Sequence, residues 1–112
     1  MSDTPKTFAE RTAGLVEATG LGATRCVGSD RYPFSVVKLE HSKSGKTDIL
    51  HLREDIAIMR DGGSIHGQQD WAFFEDRNAP VVIIKRRNGK GTNREARNYF
   101  IGRRGKYYDP SF

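Results

Sequence analysis

One cysteine, Cys26, stands in 112 residues. A single thiol closes no internal disulfide, so a disulfide-stapled fold is excluded and nothing in the chain asks for an oxidising compartment. Long apolar runs are missing too. The longest, Ala79 to Ile84, falls far short of the roughly 20 residues of a membrane-spanning helix, so no membrane partner is expected. The opening residues Met1-Ser2-Asp3-Thr4-Pro5 show no basic segment leading into an apolar one, so no secretory signal is visible and a cytoplasmic location is the expectation. No two of His41, His51, His66 and Cys26 stand at metal-ligand spacing, so no metal is expected, nor any other cofactor. Glu54 and Asp55 are adjacent, and on a strand adjacent side chains point to opposite faces, which argues against a metal-binding carboxylate pair. Gly89-Lys90-Gly91-Thr92 has a glycine-lysine step near a threonine. It lacks the first glycine of a phosphate-binding loop and breaks the Lys-Thr step, so a nucleotide triphosphatase is rejected. There is no internal repeat and no low-complexity tract.

The chain does hold enough aromatic and β-branched residues for one ordinary core. A chain of this length buries roughly two thirds of its unfolded surface. One domain is expected over residues 7–112, preceded by a loose polar segment at residues 1–6. Thr7-Phe8-Ala9-Glu10 reads as a capping box, with Phe8, Thr12, Leu15 and Val16 following at helical spacing and Gly20 as the stop. This predicts a helix over 7–19 lying on a sheet. Thr24–Val27, Phe34–His41, Thr47–Arg53, Trp71–Glu75 and Val81–Arg86 read as strands. Ser42-Lys43-Ser44-Gly45 is one hairpin loop, and residues 76–80 are expected to close a second hairpin between the last two strands. Residues 93–101 allow two readings. Thr92-Asn93-Arg94-Glu95 repeats the capping box and favours a second short helix, whereas alternation through Ala96, Asn98 and Phe100 favours a strand. The predicted class is α+β, an N-terminal helix packed on an antiparallel sheet of about five strands.

What the sequence has in excess is positive charge at one end. Residues 85–112 hold nine of the nineteen Lys and Arg and only two acids, Glu95 and Asp109, so the segment carries +7 while the first 84 residues carry −2. Lys85, Arg86, Arg87, Lys90, Arg94, Arg97, Arg103, Arg104 and Lys106 are interleaved with Tyr99, Phe100, Tyr107 and Tyr108. Arginine forks suit phosphate oxygens, glycines let a backbone approach them, and exposed rings can stack on unpaired bases. These nine cations, with Tyr99, Tyr107 and Tyr108, form the expected site of a small basic non-enzymatic protein that binds DNA or RNA. The plainer alternative puts Phe100 and one tyrosine in the core and leaves the arginines as a solvated face. An alternative is an inhibitor or adaptor, of the kind a phage or mobile element carries, that sets the same basic face against an acidic protein surface; exposed rings among Trp71, Phe73 and Phe74 would anchor such a partner. A third reading makes the chain a small metal-independent ribonuclease, with His66 in the glycine-rich loop and Glu75 as acid and base.

Overall fold

The computed structural model describes residues 7–88 and 90–110, so the expected loose segment at residues 1–6 lies outside the described residues. Eight strands follow one helical turn. They are β1 Gly22–Val27, β2 Asp30–His41, β3 Thr47–Glu54, β4 Ile56–Met59, β5 Trp71–Phe74, β6 Val82–Arg87, β7 Lys90–Gly91 and β8 Tyr99–Ile101. Six of them make one antiparallel sheet in the order β7-β6-β3-β2-β1-β8, and β4 with β5 makes a separate ribbon. The two edges of the sheet, β7 and β8, are consecutive in the chain. The 3₁₀ turn Ala96–Asn98 sits between them, so the sheet curls into a nearly closed barrel with one seam.

Two-residue alternation explains what fills it. In register, Val36 of β2 faces Leu52 of β3, which faces Val82 of β6; Leu50 faces Ile84 one row on. With Ala23, Phe34, Ala96 and Tyr99 these side chains form the core, and Leu52 is fully buried. Each large aliphatic side chain so buried contributes about 1.5–3 kcal/mol. The β2–β3 register slips between Val36 and Lys38, leaving Val37 as an extra, exposed residue and returning Leu39 to the row of Leu50.

Three expectations are corrected. The helix expected over 7–19 is a single turn, α1 Phe8–Arg11. The Thr7 hydroxyl does accept from the Glu10 amide, at 3.2 Å. Gly14, at φ +80°, then turns the chain away. Residues 16–18 run extended along β5, where Ala18 N–H donates to Phe73 O and Glu75 N–H to Val16 O. Thr12, Val16 and Thr19 are β-branched and weak in helices, and the free edge of β5 offers their backbone an alternative set of bonds. No N-terminal helix therefore packs on a sheet, and the chain is an all-β barrel with a ribbon, not α+β.

The second short helix is also absent. The Asn93 side chain accepts from the Ala96 amide at 2.8 Å, but only the 3₁₀ turn follows. Tyr99 and Ile101 then pair with Arg25 and Ala23 of β1, which buries Tyr99 in the core. The expected hairpin between residues 71–75 and 81–86 does not form. β5 pairs with β4, and β6 pairs with β3 along its whole length. Only the barrel row of Leu50 and Leu52 can bury Val82 and Ile84, and the turn at Asp76–Ala79 carries the chain across to it.

The seam is tight at one point. A Cβ on Gly91 would lie 2.6 Å from both the carbonyl carbon of Ala96 and the amide nitrogen of Arg97, backbone atoms that cannot swing aside. Gly91→Ala is therefore expected to lose about 1–3 kcal/mol of stability through overpacking. Urea denaturation measures it, and an unchanged midpoint would contradict this closure.

Candidate functional site at the barrel seam

Strand β6 carries Lys85, Arg86 and Arg87 to one end of the barrel. Asn88, at φ 52°, begins the reversal into β7; Gly89 itself lies outside the described residues. Lys90 opens β7, and Arg94 and Arg97 stand in and beside the 3₁₀ turn. Three of these cations, Arg86, Lys90 and Arg97, line a groove of about 330 Å³ along the seam with Gly91, Tyr99, Phe100 and Ile101. Alternation along β6 sets Lys85 and Arg87 on its outer face with the exposed Ile83. No acid lines the groove. Arg97 Nε donates to the Gly91 carbonyl at 3.5 Å. Among the described residues no hydrogen bond or ion pair engages the side chains of Lys85, Arg87, Lys90, Arg94 or Arg103.

Other residues of the expected site are placed elsewhere. Tyr99 is only 6 % exposed, with its ring edge-on to Phe34 at 5.2 Å between centroids. Burial pushes its phenol above the usual value, against the pull of Arg25. It forms the floor of the groove and offers no face for stacking. The segment after β8 leaves the groove and straps back over the other side of the sheet. There Thr24 Oγ1 donates to the Arg103 carbonyl at 2.5 Å, and the backbone of Tyr107 pairs with Arg31. The Lys106 ammonium lies 4.4 Å from the ring centre of Tyr32 and 5.7 Å from that of Trp71, a cation held on aromatic faces. Tyr108 exchanges backbone bonds with the Gln69 side chain, and the rings of Tyr107 and Tyr108 remain exposed. Arg103, Tyr107 and Tyr108 thus belong to a strap and are not a continuation of the seam.

The alternative that places Phe100 in the core does not hold. Phe100 is 65 % exposed and lines the groove beside the seam cations. The signal was available in the strand reading of residues 96–101, which puts Phe100 on the face opposite Tyr99.

Compared with known proteins, the chain matches no family model, no curated protein and no solved structure at a significant level. The residues themselves must carry the functional reading.

The ribonuclease pair is not brought together. His66 is exposed in the loop before β5 and Glu75 follows it, so the whole of β5 separates them, roughly 13 Å of extended chain. Glu75 lies 3.8 Å from Arg77 instead. Asp61, whose carboxylate accepts from the Phe8 amide at 3.1 Å, ties α1 to the ribbon.

Arg104 points inward. Its Nε donates to Asp55 Oδ2 at 3.0 Å, its Nη2 to Ser35 Oγ and to Thr19 O, and its Nη1 to Gly20 O. Ser35 Oγ in turn donates to Asp55 Oδ1 at 2.5 Å. The Asp55 side chain is 2 % exposed and that of Arg104 12 %. Burial raises the Asp55 carboxyl above its usual value; the Ser35 hydroxyl and the Arg104 charge only partly offset this. A carboxyl raised on folding favours the folded state in acid, and that contribution is lost as pH rises through its folded pKa. Arg104→Met removes the offset, so Asp55 rises further. The variant is expected to be about 3–5 kcal/mol less stable at pH 7 and to recover part of that deficit at pH 5. Urea melts at the two pH values check this, and an equal deficit at both would show that no charge was stranded on Asp55.

Proposed function

We propose that this protein binds DNA or RNA through the seam of its barrel, with Arg86, Lys90, Arg94 and Arg97 contacting the phosphate backbone and Lys85 and Arg87 adding charge from the outer face of β6. The observation that supports it is the groove itself, with Arg86, Lys90 and Arg97 in its wall and no acid in its lining. A folded protein ordinarily intersperses charges of both signs, and several cations in one place with no acid among them favour a polyanion. The distribution around the barrel supports the same reading. A neighbouring cavity of about 550 Å³, which shares Tyr99 with the groove, is lined by Arg25 with Glu54, Asp55, Asp76 and Glu95, so the acids gather there and not in the groove.

An acidic protein surface is the second reading. Val37, Val81 and Ile83 stand exposed on the barrel, and bare apolar side chains add nothing to phosphate binding but do add to a protein interface.

Binding of a generic oligonucleotide is expected to weaken steeply with salt. About four phosphate contacts give a slope of log K against log salt near −3 on single strands and near −4 on duplex. Lys90→Ala and Arg97→Ala are each expected to flatten that slope by about one contact, measured by fluorescence anisotropy from low to moderate salt. No binding to single strands or duplex of either nucleic acid at low salt would overturn the proposal and leave the protein partner as the better account.

A further inference from the structure

We infer that the ligand of the seam is a single strand, one of whose unpaired bases stacks on Phe100. This rests on the nucleic-acid reading above and adds the class of nucleic acid.

Phe100 is the starting point. A phenylalanine gains about 1.5–3 kcal/mol when it leaves water, yet this ring stays outside a barrel whose core is completed by its neighbours Tyr99 and Ile101. It sits on β8 within the groove that Arg86, Lys90 and Arg97 also line. An exposed ring ringed by cations matches the two needs of a single strand, a π-face for the base and positive charge for the backbone.

The backbone of β8 adds a third element. The Gly102 amide bonds to the Gly22 carbonyl at 2.8 Å. By alternation Phe100 turns its amide and carbonyl to β1 as well, and Ile101 turns its own toward the seam. No strand pairs with β8 on that side among the described residues. A donor and an acceptor for a base edge therefore lie next to the ring.

Duplex fits these features poorly. Its bases are stacked and paired, so reaching a base face requires unstacking at a few kcal/mol. Proteins that read duplex through strands insert a two-stranded arm into the major groove. Here β6 is paired to β3 from Leu52↔Val82 to Thr47↔Arg87, and β7 is two residues long, so among the described residues the seam offers no free two-stranded arm. The groove is shallow enough for a base and a few phosphates, at the low end of the volumes that hold small ligands.

The test compares four probes at one salt concentration: oligo-dT, oligo-U, a mixed-sequence duplex and heparin, each with wild type, Phe100→Ala and Phe100→Trp. Circular dichroism and urea midpoints show that each variant is folded. Wild type is expected to bind the single strands more tightly than duplex. Phe100→Ala is expected to lose about 5- to 150-fold on the single strands and less than twofold on duplex and heparin, and Phe100→Trp to restore the single-strand affinity. The oligo-dT and oligo-U arms show whether DNA or RNA is preferred. Duplex bound as tightly as single strands, with Phe100→Ala neutral, would overturn the single-strand inference and leave nucleic-acid binding standing. An equal loss on heparin would overturn it too, because the ring would then only support the surface. No binding to any probe would defeat both readings at once.

Discussion

The Arg104 side chain ties three parts of this molecule to one another. One guanidinium reaches the β2 residue Ser35, the residue Asp55 that joins barrel to ribbon, and the carbonyls of Thr19 and Gly20 on the segment leading into β1. Gly22 fits this, since a Cβ there would lie 2.5 Å from Arg104 Cγ. A buried pair of this kind adds little net stability over an apolar substitute, but removing one partner strands the other charge. Its use here is specificity of docking. With Arg104 inside and Lys106 held between Tyr32 and Trp71, the chain after β8 has one path, along β2 and the ribbon. That path carries Arg103, Tyr107 and Tyr108 away from the seam and leaves the seam to the cations of β6, β7 and the 3₁₀ turn.

The seam follows from barrel closure. β7 is too short and β8 too far round the curl to pair with each other, so residues 92–98 close the gap with a turn packed on Gly91. A closed ladder would have used up the backbone on both edges. The turn leaves an indentation with a floor of Tyr99, a wall of cations and one bare ring. In the neighbouring cavity, which shares Tyr99 with the groove, Glu54, Asp55, Asp76 and Glu95 gather with Arg25. Neighbouring patches of opposite sign steer a polyanion toward the cations, an effect on association rate that salt suppresses.

The strands were legible because the apolar alternation of Leu50 with Leu52 and the β-branched run through Val36 admit no helical period. The charge excess was legible as a count, but its division was not. Nothing in the sequence distinguishes Arg103, which faces solvent, from Arg104, which faces Asp55, because that choice is made by Ser35 and Asp55 in other strands. The N-terminal helix failed for a similar reason. A capping box and helical spacing describe local preference, and the edge of β5 offered residues 16–18 a better set of backbone bonds. Composition alone left Phe100 undecided between core and surface, because aromatic residues are usually buried. Only the pairing of β8 with β1 shows that Tyr99 has taken the inner position and left Phe100 outside. The pairing of β6 with β3 was illegible because it spans the whole ribbon, and loop length says nothing about which distant strand has a vacant apolar row.

The seam as the contact surface is tested most directly by following backbone amide resonances of the folded protein during titration with oligo-dT at low salt. Shifts confined to residues 85–88, 90–102 and the facing end of β3 are the expected result, with Ile101 among the largest because its amide faces the groove. Shifts centred on Val37 and Ile83, on the strap around Tyr107 and Tyr108, or spread evenly over the surface would contradict it.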